Sequence, residues 1–263
     1  MSDAQACDRQ SVPAPAPAPV PAPGPAPGPT DRPRPTPPVE AVLLDADGVL
    51  QLIGTPWDQA LAQGGGPEFA TALLAEEEDA LSGRETLTSL LNRLVERLHL
   101  TVGVPELLEL WWQASPDPEA WQVVRDLRAA GLTTVLATNQ QPERRDWMRR
   151  TLGYDGLCDV DAYSCELGVA KPDPAYFRRV LGLAGVAEPA RALFVDDNAR
   201  NVAAAASVGI RTLLHPADSG GAALRAELRE VLGDTPLGTG VPDAAGEVGG
   251  PSTGCRAGTD QTT

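Results

Sequence analysis

Four short apolar runs stand out along the chain: "VEAVLLD" (39–45), "TTVLATN" (133–139), "RALFVDD" (191–197) and "IRTLLH" (210–215). Their apolarity is continuous rather than alternating, which is the pattern of strands buried on both faces. Between the later runs lie segments with helical spacing, "PEAWQVVRDLRAAG" (118–131), "PERRDWMRRTLG" (142–153), "PDPAYFRRVLGLAG" (172–185) and "NARNVAAAASVG" (198–209). Several open on Pro, Asp or Asn and close at Gly, the start and stop signals of helices. Strands alternating with helices predict βαβ units and an α/β fold with a doubly wound parallel sheet. A weaker run, "CDVDAYS" (158–164), is predicted to complete the sheet.

The stretch between the first and second runs is too long for one crossover, and residues 57–115 carry only helical patterns. In "RETLTSLLNRLVERLHL" (84–100), Leu87, Leu90, Leu91, Leu94, Val95 and Leu98 form one apolar stripe. This region is expected to be a small helical cap inserted after the first strand, with Trp111 and Trp112 in its packing. The core would then be 39–56 and 116–233. The acidic "EEED" (76–79) and the basic "PERRDWMRR" (142–150) are both expected to be solvated helix faces.

Composition separates the two ends from this body. Residues 12–38 hold 13 of the chain's 26 prolines, and proline removes a donor and favours extended polyproline II. Residues 1–38 are therefore expected to be a disordered Pro/Ala-rich arm. Residues 234–263, rich in Gly and poor in apolar side chains, are expected to be a disordered tail. A net charge of −15 argues against nucleic acid and anionic membranes as partners. The four cysteines, Cys7, Cys158, Cys165 and Cys255, show no metal-type pairing. A cytoplasmic protein, monomer or homodimer, is the expectation.

The candidate chemistry lies at the strand ends, where open parallel sheets gather ligands. The first run ends at Asp45 and Asp47, the second at Thr138 and Asn139, and the third at Asp196 and Asp197; Lys171 sits in "GVAKPDP". So many carboxylates on one edge need a cation, and hard oxygen donors point to Mg²⁺. Asp45 can attack a phosphoryl group, its ordinary pKa keeping it ionised at neutral pH. Asp47 can protonate the leaving group and then activate water. Gly48 permits the sharp turn after them. Lys171 would compensate charge, and Thr138 would donate to a phosphoryl oxygen. Taken singly these are ordinary features: "DADG" a turn or a partial calcium loop, "TN" a helix N-cap, "DD" a loop pair, a Lys before Pro a surface residue. The EF-hand version fails, because Pro56 occupies the twelfth position, where a bidentate Glu is required.

Together, "LLDADGVL", "LATNQ", "SCELGVAKPDP" and "LFVDDNARNVAAAASVG" resemble the haloacid dehalogenase (HAD) superfamily of phosphohydrolases, over essentially 39–233. The wording is most similar to the branch holding sugar-1-phosphate phosphatases and the phosphatase domain of soluble epoxide hydrolase. The resemblance implies a Rossmann-like core with a small cap and a Mg²⁺-dependent phosphatase acting on a small phosphorylated metabolite through an aspartyl-phosphate. A sugar phosphate is one such substrate. It implies Asp45 as nucleophile and metal ligand, and Asp47 as acid/base, ligating Mg²⁺ through its backbone carbonyl. Thr138 and Asn139 would hold phosphate, Lys171 would steady the nucleophile, and Asp197 would bind metal directly. Asp196 would bind it directly or through water, and Asn201 and Ser164 would support the site. A phosphomutase of the β-phosphoglucomutase type shares these motifs and is the alternative, ahead of a non-catalytic binding protein. A 2-haloacid dehalogenase has no use for the second aspartate.

Overall fold

A computed structural model of the protein describes residues 37–233. The expected arm, but for residues 37 and 38, and the expected tail lie outside the described residues, as do Cys7 and Cys255. The strands are β1 Ala41–Leu44, β2 Gln51–Leu52, β3 Ser115–Pro116, β4 Thr133–Thr138, β5 Val160–Tyr163, β6 Ala192–Asp196 and β7 Arg211–Leu214. The helices are α1 Trp57–Gly65, α2 Pro67–Glu76, α3 Glu78–Leu81, α4 Leu87–Arg97, α5 Val104–Leu108, α6 Pro118–Ala129, α7 Pro142–Trp147, α8 Ser164–Leu167, α9 Pro174–Leu183, α10 Ala199–Ser207 and α11 Gly221–Leu232.

Five strands form one parallel sheet in the order β5-β4-β1-β6-β7. Successive strand residues point to opposite faces, and both faces are covered. Val42, Leu44, Leu136, Leu193 and Val195 pack against α6 and α11, through Ala120, Val124, Leu127, Leu224 and Leu228. Ala41, Leu43, Val135, Ala137 and Phe194 pack against α9 and α10, through Phe177, Val180 and Ala205. This double burial is why the runs read as continuously apolar. From β1 the chain winds outward to β4 and β5, and then returns to β6 and β7 on the other side. The reversal makes the carboxyl end of β1 the sheet's switch point, where a crevice opens.

The long excursion after β1 is an inserted helical cap, α1–α5 followed by a 3₁₀ turn over Glu109–Trp112. It has a core of its own: Leu61, Phe69, Leu73, Leu87, Leu90, Leu91, Leu94, Leu107 and Trp111. The Thr86 hydroxyl caps α4 by accepting from Ser89 N at 3.0 Å. Two findings depart from the sequence reading. The span is not purely helical, because Ser115 pairs with Leu52 in an antiparallel ribbon of β2 and β3 at the cap's base. The expected helix 142–153 also changes character, with α7 passing into a π turn over Met148–Leu152. The wider turn seats both Met148 and Tyr154 in the core.

The two strands leading into and out of the cap are tied to the segment between β7 and α11. Asp218 accepts from Ile53 N at 3.0 Å and Gly54 N at 2.8 Å. Asp117 caps α6 by accepting from Glu119 N and Ala120 N, and its second oxygen accepts from Gly221 N at 2.8 Å. A side chain at Gly221 would place Cβ 2.2 Å from Ala120 N, so α6 and α11 meet only because this residue is glycine. Among the described residues, no helix is long and apolar enough to cross a membrane. Cys158 and Cys165 are free thiols.

Asp117→Ala should destabilise the fold by about 1–3 kcal/mol, from loss of the helix cap and the stranded Gly221 N–H. Chemical denaturation checks this; an unchanged midpoint would contradict it.

Candidate active site

Strand register brings the candidate groups together. Leu44 pairs with Leu136 on one side and Val195 on the other, so residues 45, 138 and 196 emerge on one edge within a step or two. Lys171, buried, reaches across them. Its Nζ lies 2.9 Å from Asp45 Oδ1 and 2.7 Å from Asp196 Oδ2, and donates to the Ala137 carbonyl at 2.9 Å. Burial alone would lower the lysine's pKa, but the Asp45 and Asp196 carboxylates outweigh it and hold the ammonium above its usual value.

Asp45, Asp196 and Asp197 each offer an oxygen within 4.8 Å of the others. Burial pushes the Asp45 carboxyl well above the usual range; Lys171 opposes this, while Asp196, Asp197 and Asp47 add to it. Burial thus opposes the ionisation expected of Asp45 from its ordinary pKa, and the Lys171 ammonium supports it. Asp197, part-buried beside Asp196, is pushed up to about 6, mainly by burial. An all-oxygen donor set in which two carboxyls are shifted up, Asp45 and Asp197, fits a hard divalent ion such as Mg²⁺. Asp196 is the most enclosed of the three: besides Lys171 it accepts from Asn198 N at 2.8 Å and from Asn201 Nδ2 at 3.0 Å.

Gly48 has φ +75°, and a Cβ there would lie 2.6 Å from Asp197 Oδ2. The glycine therefore serves both the turn and the close approach of the β1 and β6 loops. Asp47 is not one of the three clustered carboxylates. Its Oδ1 accepts from Arg144 Nη2 and Gln51 Nε2, each at 2.6 Å, and Oδ2 accepts from Gln140 Nε2 at 3.0 Å. Gln140 also donates to Thr138 Oγ1 at 3.0 Å, while its backbone N–H donates to Ser164 Oγ at 2.9 Å. The Asn139 amide is spent on the main chain of Lys171, donating to its carbonyl and accepting from its N–H, both at 2.8 Å. Asn139 thus holds the lysine loop in place while also lining the crevice.

Sequence reasoning missed two residues. Arg144 was expected on a solvated face, yet its side chain is 1% exposed, pairs with Asp47 and lies 4.7 Å from the ring centroid of Trp57 in the cap. Its position four residues before the core residue Met148, on the same helix face, was the available signal. Glu77 was expected to be solvated with its acidic neighbours, but it lines the crevice. It falls four residues after Leu73 and four before Leu81, a lone charge on an apolar stripe. Burial pushes its carboxyl up to about 7, opposed only by a 3.3 Å bond from Gln141 Nε2. The crevice, about 280 Å³, lies between the sheet edge and the cap and is lined by Asp45, Asp47, Thr138, Lys171 and Asp197 below and Trp57, Leu73, Glu77 and Trp111 above.

With that geometry in place, comparison with known proteins is informative. A family model described as haloacid dehalogenase-like hydrolase matches residues 39–209. The chain is 35% identical over 126 residues to acyl-CoA dehydrogenase family member 10 of Mus musculus, covering 48% of this chain and 11% of that protein. It is 35% identical over 99 residues to a phosphoserine phosphatase of Thermus thermophilus, covering 36% and 39%. A phosphatase of Mycobacterium tuberculosis is 27% identical over 194 residues, covering 67% and 87%. The chain thus spans well under half the length of the first two. Among solved structures, a HAD family enzyme of Bacteroides thetaiotaomicron in complex with magnesium and inorganic phosphate superposes with TM-score 0.57 at 20% identity, covering 66% of this chain and 93% of that one. The L-2-haloacid dehalogenase of Xanthobacter autotrophicus gives 0.50 at 24% identity, covering 66% and 76%. At such identities the structural likeness speaks to the fold alone.

Glu77 provides a pH test of this geometry. Its folded pKa, about 7, exceeds the ordinary 4.5, so the folded state binds this proton more tightly. Stability is full below pH 4.5 and is lost as pH rises through 7, by about 3 kcal/mol in all. Glu77→Gln lacks this loss, so its stability advantage over wild type should grow between pH 4.5 and 7. Denaturation at several pH values measures it, and a difference independent of pH would refute the buried carboxyl.

Proposed function

The chain belongs to the haloacid dehalogenase-like hydrolases, and within that family we propose that it is a Mg²⁺-dependent phosphatase of small phosphorylated metabolites. The observation that carries the reading is the cluster of Asp45, Asp196 and Asp197 around Lys171, with a second aspartate, Asp47, held apart from it. The phosphatase names among its relatives support the same reading. The division used is core 39–56 and 116–233 with cap 57–115.

Asp45, Asp196 and Asp197, with the Asp47 backbone carbonyl, are the groups that would hold the ion. When bound, Mg²⁺ supplies charge neutralisation for the carboxylates and the phosphoryl oxygens. Lys171 and the Ala46 N–H both bond Asp45 Oδ1, the latter at 2.7 Å, leaving Oδ2 to attack phosphorus. The bond from phosphorus to the leaving alcohol breaks as the bond to Asp45 forms, and Asp47 delivers a proton to the departing oxygen. Asp47 then takes a proton from water, which attacks phosphorus and releases Asp45 and inorganic phosphate. Three donors, Arg144, Gln51 and Gln140, fix the orientation of the Asp47 carboxyl. Thr138 Oγ1, at the edge of the crevice, is placed to donate to a phosphoryl oxygen, and Asn139 contributes by fixing the Lys171 loop. The cap covers the reaction from water.

Phosphate release from p-nitrophenyl phosphate should require Mg²⁺ and stop on chelation. Asp45→Asn should lower kcat by at least about 10³-fold, and Asp47→Asn by about 10²–10⁴-fold, with melting temperatures near wild type. Turnover that survives the chelator, or a near-normal Asp45→Asn variant, would overturn the reading.

A further inference from the structure

The half of the crevice beyond the aspartates is walled by Trp57, Leu61, Leu73, Leu81 and Trp111. A sugar, with hydroxyls on every side, meets few partners on such a wall. Besides Arg144, which lies against Trp57 and pairs with Asp47, two polar groups interrupt it. One is the Glu77 carboxylate, which pairs with no cation among the described residues and takes one bond, from Gln141 Nε2. The other is Gln141 itself, 3% exposed, whose Oε1 is buried without any donor. Both residues line the crevice, and both present acceptors. A part-buried carboxylate held by a single donor and a buried amide oxygen with none are costly. Such a cost persists where a ligand meets it.

We propose that Glu77 and Gln141 form the receptor for a primary ammonium group on the leaving alcohol, so that the preferred substrates are phosphate monoesters of small amino alcohols. An ammonium carries three N–H donors, enough for the Glu77 carboxylate and Gln141 Oε1 together, and it neutralises the one acidic group of the wall. Its methylenes lie against the leucines and the rings of Trp57 and Trp111, whose π faces also favour a cation. A neutral leaving group of the same shape would leave Glu77 buried and unpaired. This is the arrangement that discriminates most strongly against an analogue lacking the donor.

The inference rests on the phosphatase reading, and the test separates the two. O-Phosphoethanolamine and its neutral isostere n-propyl phosphate are compared by kcat/KM in the full-length protein with Mg²⁺, and p-nitrophenyl phosphate reports general turnover. Wild type should prefer the amine by at least about tenfold, and the preference should collapse toward one in Glu77→Gln and shrink in Gln141→Leu. Being a ratio within one preparation, it is unaffected by partial loss of folded protein. Equal rates on both esters in wild type, or an unchanged ratio in Glu77→Gln, would overturn the ammonium site even while p-nitrophenyl phosphate is hydrolysed. If no ester is hydrolysed, the phosphatase reading fails. The ammonium site is then decided by calorimetry on Asp45→Asn, where O-phosphoethanolamine must bind at least tenfold more tightly than n-propyl phosphate.

Discussion

One buried ammonium, Lys171 Nζ, sits between Asp45 and Asp196 at 2.9 and 2.7 Å, and the geometry of the sheet edge depends on it. Parallel strands with a topological reversal at β1 bring carboxylates from β1 and β6 to the same place. Burial and mutual repulsion would drive them to protonate or to separate. The lysine opposes both, and its own position is fixed by Asn139, which bonds both sides of its peptide unit. Removing one member of such a buried set strands the others without compensation. The lysine supplies a single charge, and the upward shifts of Asp45 and Asp197 mark the remaining deficit. A divalent cation is the complement that deficit fits.

A second junction joins core to cap, and most of it runs through one short helix. Glu143 of α7 accepts from Leu87 N and Thr88 N at the start of α4, at 3.0 and 2.9 Å. Trp147 packs on Trp112 of the cap, with centroids 5.3 Å apart. Arg144 lies beneath Trp57 while holding Asp47. The same helix that orients the second aspartate therefore carries the cap. A displaced cap would change the surroundings of Asp47 through Arg144, a coupling that on the proposed mechanism would link substrate enclosure to proton transfer. Asp117 and Asp218 anchor the two connecting strands from the other side.

The architecture was legible where burial leaves a pattern. Strands covered on both faces read as continuous apolar runs whose polar ends mark Asp45, Thr138, Asn139, Asp196 and Asp197, and Lys171 stands out in the loop before α9. The β2–β3 ribbon was not legible, since two two-residue strands separated by the whole cap leave no periodicity. Glu77 and Arg144 were hidden by their neighbours. Within "EEED" and "PERRDWMRR" the charges dominate, and only the spacing to Leu73, Leu81 and Met148 distinguishes the inward residue. That the Asn139 amide also clamps the Lys171 main chain was not legible, because sequence order says nothing about which main chain a side chain meets. Asp45 was given a solution pKa, because desolvation is a property of the assembled edge and not of the residue.

The central claim is that Asp45 becomes covalently phosphorylated, and trapping that bond tests it most directly. Protein turning over p-nitrophenyl phosphate with Mg²⁺ is acid-quenched and reduced with borohydride, which converts an acyl phosphate to an alcohol, and the peptides are then analysed by mass spectrometry. The account predicts homoserine at position 45, dependent on both substrate and Mg²⁺. Reduction at another carboxylate, or phosphate release with residue 45 always recovered as aspartate, would contradict it.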